Sequence, residues 1–320
     1  MKYCFIVNPY AGKGKLADDL ASRIENTCRE RGLDFEIYRT RGIGDATDYI
    51  ARTANERDGD ICFYACGGDG TLGEAVQGIM SASDREGLSL GLFPIGTGND
   101  FVRNFTPKET FMDVEAQLDA TPEALDLLCC NERHAINMIN IGFDCEVVCK
   151  TVSLKKNLLI PSKFAYIAGL VATLARKPGA SMRLCMDGEE PTARDCLLTT
   201  FANGCFCGGG FHSNPRASLR DGKIDALFVK NVTRRTFLSL VGDYKKGTHL
   251  APKFGHIIEN RKADRVDMYF DRETNICLDG ELISAKELHL LVVPGALHFL
   301  IPKGAALLNS QVRDTLCLSV

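Results

Sequence analysis

The sequence predicts an α/β domain with a mainly parallel sheet, followed by an antiparallel sandwich or barrel-like domain. Three observations carry this. Strands and helices alternate over the first 125 residues, three Gly-rich loops each follow a strand, and after Pro122 the chain turns into short strands joined by tight turns. Strands separated by helices form βαβ units. Many short strands with turn pairs form sandwiches.

Taken in order, Tyr3–Val7 is an apolar run, then a Gly-rich turn, then a helical stretch Lys15–Arg31. Leu33–Tyr38 reads as a second strand and Asp45–Glu56 as a helix. Ile61–Ala65 is a third strand, followed by a Gly-rich loop and a helix Thr71–Ser81; Leu88–Ile95 is a fourth strand. Beyond Pro122, strands are expected at Ala124–Cys130, Arg133–Ile141, Ala180–Met186, Arg194–Ala202, Ile224–Val232, Ile257–Glu259, Arg265–Phe270, Ile276–Leu278 and Glu287–Val293. Asn131-Glu132, Asp187-Gly188 and Asp279-Gly280 are the turn pairs. Helices are expected near Pro161–Ala175 and Thr233–Lys245.

Composition narrows the function. The 320 residues carry 38 Lys plus Arg against 41 Asp plus Glu, a net charge of −3. That balance argues against a nucleic-acid binder, which carries a basic domain or stripe. An apolar share of 45% argues against disorder. No apolar run reaches the ~18–20 residues of a membrane span, and the chain opens on a strand-like run rather than a signal peptide. The 14 cysteines follow no framework spacing, so free thiols in a reducing cytosol are expected. Cys205-Phe-Cys207 and Cys129-Cys130 lack a second ligand pair for zinc. Cys317 has no polybasic run before it, which argues against prenylation.

The chemistry concentrates in the loops. Asn8-Pro9-Tyr10-Ala11-Gly12-Lys13-Gly14 follows the first strand and opens a helix, where backbone N–H groups suit phosphate. It is neither a Walker A loop nor GxGxxG, and alone it would be a tight βα turn. Gly67-Gly68-Asp69-Gly70-Thr71-Leu72 follows the third strand. Its glycines admit a close ligand, and Asp69 reads as an acid associated with Mg²⁺ or nucleotide. Thr71 could serve only as the helix cap. Pro94-Ile95-Gly96-Thr97-Gly98-Asn99-Asp100-Phe101 ends the fourth strand, and Asn99 or Asp100 could cap a helix after it. Ligands in such sheets bind outside the carboxyl ends of the strands, and three such loops on one edge are hard to explain as turns.

Asn-Pro-x-x-Gly, Gly-Gly-Asp-Gly-Thr and Pro-x-Gly-Thr-Gly-Asn-Asp-Phe, in this order, resemble the diacylglycerol kinase catalytic-domain family, which includes bacterial lipid kinases and sphingosine kinases. Gly208-Gly209-Gly210, Pro215, Ala217 and Asp221-Gly222 resemble a later stretch of that family, and Leu278-Asp279-Gly280-Glu281 its late hairpin. The resemblance runs from about Lys2 to about Pro302. Gly-Gly-Asp-Gly-Thr is shared with NAD kinases and 6-phosphofructokinases; the Gly-Thr-Gly-Asn-Asp-Phe element and the Asp-Gly-Glu hairpin separate the lipid-kinase branch.

The resemblance implies a Rossmann-like nucleotide-binding domain followed by an antiparallel β-sandwich domain that holds the lipid. Residues 1–123 would be the ATP-binding domain, 124–295 the lipid-binding sandwich, and 296–320 a segment returning to the first domain. It also implies ATP as co-substrate, contacted by Asn8, Pro9, Ala11, Gly12, Thr40, Gly67, Gly68, Asp69, Gly70, Thr71 and Thr97, beside Asn99 and Asp100 of the third loop. A Mg²⁺ would be held by Asp221 and the carbonyls of Ser218 and Lys223, although Asp221-Gly222 would equally make a good hairpin turn. Catalysis is placed at Asp279 and Glu281 jointly, with Asp69 on the nucleotide side. The expected reaction moves the γ-phosphoryl of ATP to a lipid hydroxyl, with diacylglycerol the default acceptor and phosphatidic acid the product. A sphingoid base, a polyprenol or another lipid as acceptor, NAD, or a catalytically silent lipid or nucleotide sensor are the alternatives. The resemblance also implies a cytoplasmic enzyme, peripheral on the inner face of the membrane, with a homodimer left open. The stretch from Lys155 to Lys177 puts Phe164, Ile167, Ala168, Val171, Leu174 and Ala175 on one helical face between basic ends. It is read first as a core helix and second as a contact to anionic membrane.

Overall fold

A computed structural model of the chain describes residues 1–143, 145 and 179–308. The expected helix at 161–175, with its basic flanks, and Cys317 lie outside the described residues. The described chain divides into two units, Met1–Leu127 with the chain from Pro294 onward, and Leu128–Val293.

In the first unit, β1 (Lys2–Val7), β2 (Phe35–Arg39), β3 (Ile61–Gly67) and β4 (Leu88–Pro94) form a parallel sheet in the order β4-β3-β1-β2. All seven residues of β3 are buried, as expected of a parallel strand covered on both faces. α1 (Lys15–Glu30) buries Leu20, Ile24 and Cys28 against Phe5, Tyr64 and Phe93. α2 (Asp45–Asn55) meets α3 (Asp69–Met80) closely enough that a Cβ on Gly78 would lie 2.7 Å from the Ile50 side chain. From β1 the chain passes outward to β2 and then returns to β3 on the other side of β1. The strand order therefore reverses between β1 and β3, and their carboxyl ends flank the crevice where such sheets take ligands. A short strand β5 (Phe105–Thr106) and the helix α4 (Val114–Leu118) complete the first stretch of this unit.

The chain crosses to the second unit within β6 (Thr121–Cys130). Then follow β7 (Arg133–Ala135), β8 (Met138–Gly142), β9 (Ala180–Met186), β10 (Thr192–Ala202) and β11 (Ile224–Lys230). After α5 (Arg234–Lys246) come β12 (Ile258–Ala263), β13 (Arg265–Leu278) and β14 (Glu281–Ile301). Pairing among the strands of this unit is antiparallel. One core gathers Ile139, Ile141, Met182, Leu184, Phe201, Phe228, Val266, Met268 and Leu288. A second cluster packs Phe237, Leu240 and Tyr244 of α5 against Leu198, Leu227 and Val229. The last part of β14 returns to the first unit and pairs with β4 in parallel, Phe299 opposite Leu90. β15 (Ala306–Leu307) then pairs with β5.

The turn pairs form as the sequence predicts. Asn131, Asp187 and Asp279 all have positive φ, and Gly188 and Gly280 follow two of them in the same region. Several strands differ from expectation: the one expected at Glu287–Val293 extends over Glu281–Ile301, and the one expected at Ile257–Glu259 runs over Ile258–Ala263. The single strand expected at Arg133–Ile141 breaks at Ile136-Asn137, because their N–H groups turn to the Asp279 carboxylate. The two strands expected at Arg265–Phe270 and Ile276–Leu278 are one, β13, with its register against β14 shifted between Tyr269 and Thr274. Among the described residues no helix is long and apolar enough to cross a membrane.

His249 is fully buried beside the Tyr244 ring, 4.7 Å between centroids. Burial lowers its pKa from 6.5 to about 4. The unfolded chain therefore binds a proton that the folded chain refuses. Stability from this site is complete above pH 6.5 and drains away as pH falls toward 4, by on the order of 1 kcal/mol at pH 5.5. Thermal melts between pH 7.5 and 5 should show this loss, and His249→Phe should flatten it.

Candidate active site

Because the four strands run parallel, Asn8, Thr40, Gly67 and Pro94 all stand at one edge of the sheet. Hydrogen bonds tie the three Gly-rich loops there to one another. The Asn8 side-chain amide donates to the Thr71 hydroxyl at 3.1 Å, spanning the β1–β3 crevice, and its carbonyl oxygen accepts the Tyr10 N–H at 3.0 Å. Gly12 has φ 57°, and a Cβ there would lie 2.7 Å from Leu16 and 3.0 Å from the Ile95 carbonyl. The second and third loops touch backbone to backbone. The Gly96 N–H donates to the Gly67 carbonyl at 3.1 Å, and a Cβ on Gly68 would sit 3.2 Å from the Gly96 Cα.

Asp69 locks this contact. Its carboxylate accepts the N–H of Asp100 at 2.9 Å and of Phe101 at 3.2 Å. Asp69 thus caps the short 3-10 turn Phe101–Asn104, while the Asp100 side chain pairs with Arg103 at 3.3 Å. Asn99, at φ 49°, turns its amide inward to the carbonyls of Pro94 and Gly96, at 2.7 and 3.0 Å. Beneath the loop, Phe101 packs on Phe105 and Phe299, with centroids 5.5 and 5.2 Å apart. Thr97 and Gly70 remain exposed at the rim, and Thr40 is buried with its N–H on the Val7 carbonyl.

In the second unit, Asp279 and Gly280 are the two turn residues between β13 and β14, and Leu278 stands opposite Glu281. The Asp279 carboxylate accepts three backbone N–H groups, from Ile136 (2.7 Å), Asn137 (3.1 Å) and Met138 (2.7 Å). Glu281 is half-exposed and ion-paired with Arg133. In the Ser218–Lys223 segment, Asp221 accepts the Lys223 N–H at 3.2 Å and pairs with the Lys262 ammonium. Asp221-Gly222 is a bend leading into β11 and not the hairpin turn its sequence allows. Among the described residues no three His, Cys, Asp or Glu gather as a metal cluster. One carboxylate and backbone carbonyls are nonetheless hard oxygen donors of the kind Mg²⁺ accepts while keeping several waters. The donor set fits such an ion, in competition with Lys262.

A family model described as the diacylglycerol kinase catalytic domain matches residues 2–140, and one described as the YegS C-terminal NAD kinase beta sandwich-like domain matches residues 137–301. The chain belongs to the diacylglycerol kinase catalytic-domain family. Membership carries the enzyme class with it: a lipid-kinase-type phosphotransferase with an alcohol acceptor, using ATP as co-substrate. A Chromohalobacter salexigens protein named probable lipid kinase YegS-like is 28% identical over 285 residues, covering 88% of this chain and 89% of that one. The diacylglycerol kinase of Bacillus subtilis is 28% identical over 280 residues, covering 86% and 88%. A crystal structure of a diacylglycerol kinase from Bacillus anthracis shares the fold, with TM-score 0.69 at 22% identity over 93% of this chain and 96% of that one. The α/β domain followed by a β-sandwich-like domain is therefore the fold of this lipid kinase.

Two roles in the kinase differ from their sequence readings. Thr71 does not cap the helix that follows it. α3 begins at Asp69 with Gly68 as its N-cap, and Thr71 lies buried in the first turn, holding Asn8. Neither Asn99 nor Asp100 caps with its side chain; Asp69 does so from the neighbouring loop. Sequence reasoning missed Arg103, Arg133 and Lys262, the partners of Asp100, Glu281 and Asp221. Arg133 and Lys262 lie 148 and 41 residues from their partners, which leaves no local signal, whereas Arg103 stands three residues after Asp100, a spacing the sequence does offer.

Gly96→Ala would drive a Cβ into the Gly68 backbone and to 2.7 Å from the Asn99 side-chain oxygen. Calorimetry with ATP should show at least a tenfold weaker affinity, about 1.4 kcal/mol, in a chain that still melts cooperatively. Unchanged affinity would detach this contact from nucleotide binding.

Proposed function

We propose that the chain transfers the γ-phosphoryl of ATP to the hydroxyl of diacylglycerol, giving phosphatidic acid. The phosphotransfer reading is carried by the three loops tied together at the carboxyl edge of β1, β3 and β4. Their glycines leave the backbone bare for a polyphosphate. The choice of diacylglycerol is supported by the Bacillus subtilis relative of that name. Such an acceptor lies in a bilayer, so the enzyme would meet it as a peripheral protein at the membrane surface.

In this reading Asn8, Pro9, Ala11, Gly12, Thr40, Gly67–Thr71 and Thr97 surround the nucleotide. Asp69, Asn99 and Asp100 keep the loops in shape. Phosphoryl transfer needs positioning and charge neutralisation more than covalent help. Asp221, with the carbonyls of Ser218 and Lys223, would hold a Mg²⁺, which when bound supplies positive charge. The lipid hydroxyl needs an acceptor for its proton. Asp279 already spends both oxygens on backbone N–H groups. Glu281, half-exposed at the start of β14, is the better base, and Asp279 anchors the hairpin that presents it.

Glu281→Gln is therefore expected to lose ~10²–10⁴ in kcat while ATP affinity is retained. Asp279→Asn should lower Tm together with rate. Because Lys262 and Mg²⁺ compete for one carboxylate, Lys262→Met should lower the Mg²⁺ concentration giving half-maximal rate, and Asp221→Ala should raise it. The deciding experiment is transfer of labelled phosphate from ATP to a panel of lipids in mixed micelles, with NAD as control. Diacylglycerol should be the fastest acceptor. Faster labelling of a sphingoid base or polyprenol would move the substrate, and labelling of NAD alone would overturn the lipid reading.

A further inference from the structure

One short stretch, residues 133–138, grips both acidic residues at the turn of the β13–β14 hairpin, Asp279 and Glu281. Its backbone amides at Ile136, Asn137 and Met138 hold Asp279, and its first side chain, Arg133, holds Glu281. The two grips differ in kind. The Asp279 contacts are backbone bonds to a residue fixed in the left-handed region, and they set the place of the hairpin. The Arg133–Glu281 pair lies at the surface, with the two side chains 40% and 44% exposed. Exposed ion pairs add little to stability, and the hairpin is already placed without this one. What the pair does fix is the direction of the Glu281 carboxylate. An untethered Glu at a hairpin edge has three rotatable bonds, and a planar guanidinium restrains a carboxylate more closely than a point charge does.

We propose that Arg133 is a positioning residue of the phosphoryl transfer, aiming the Glu281 carboxylate at the acceptor hydroxyl. The proposal rests on Glu281 as the base. In the step it serves, the hydroxyl oxygen forms its bond to the γ-phosphorus. The bond from that phosphorus to the β–γ bridging oxygen breaks, and ADP leaves with the electron pair. The hydroxyl proton passes to a Glu281 oxygen. Arg133 touches none of the reacting atoms. It acts by keeping the acceptor oxygen in range, and loss of such placement costs up to the order of 10²-fold in rate.

The test uses the full chain, ATP and diacylglycerol micelles. Arg133→Met should lower kcat by on the order of 10-fold to 100-fold, with the KM for ATP and the Tm unchanged. Arg133→Lys should recover part of the rate, because a cation alone restores part of the restraint. In a Glu281→Gln background, Arg133→Met should cost nothing further. Arg133→Gln stands in should the Met variant fail to fold. Full rate in Arg133→Met overturns the proposal. So does an equal loss in both backgrounds, which would mean that Arg133 acts apart from Glu281. Glu281→Gln alone separates the two claims: at full rate it removes the base itself, whereas a slow Glu281→Gln beside a full-rate Arg133→Met removes only the positioning role.

Discussion

The Asp69 carboxylate carries more of the loop-bearing edge of the first unit than its size suggests. It stands at the first position of α3 and takes two N–H groups from the loop after β4. Those amides open a turn and would otherwise face the loop without an acceptor. Supplying one across the gap lets Gly68 and Gly96 approach to backbone contact, where any side chain would push them apart. The Asn8–Thr71 bond then adds the first loop. A carboxylate so engaged is an architectural element of the site, and the glycines around it are the counterpart that makes room for it.

The same device recurs in the second unit. Asp279 accepts backbone N–H groups from a strand break and so fixes a two-residue turn. In both places an Asp next to a Gly reads in sequence as a chemical group, and in the folded chain it is first a fastener. In the proposed mechanism the reacting role at the hairpin falls to Glu281, whose carboxylate is not spent on backbone N–H groups. Burial removes several cysteines from such roles: Cys4 and Cys28 are pushed up to about 11 and Cys130 to about 12. They are therefore poor nucleophiles at neutral pH.

The α/β beginning, the later run of antiparallel strands and the turn pairs are all legible in the residues, since periodicity and Gly punctuation are local signals. β9 is legible to the residue, because alternation Ala180, Met182, Leu184, Met186 marks one buried face. The loops after β1, β3 and β4 are readable for the same reason. Long-range partners are not. The break at Ile136-Asn137 depends on a carboxylate about 140 residues away. The true role of Thr71 depends on Asn8, 63 residues before it. The pairing of Asp221 with Lys262 arises only when β11 and β12 align. No pattern along the chain announces such meetings.

The returning part of β14 has a consequence for how the chain is made. Phe299 closes the aromatic cluster with Phe101, Phe105 and Phe111, and its strand covers the outer edge of β4. A ribosome delivers this strand some two hundred residues after β4. Until then the nascent first unit presents an open strand edge and an unfilled apolar hollow, the two features that invite wrong pairing between chains. Completion of the loop-bearing unit thus waits until the chain has been made past Phe299. A fragment ending at Leu127 would keep that unfinished edge permanently.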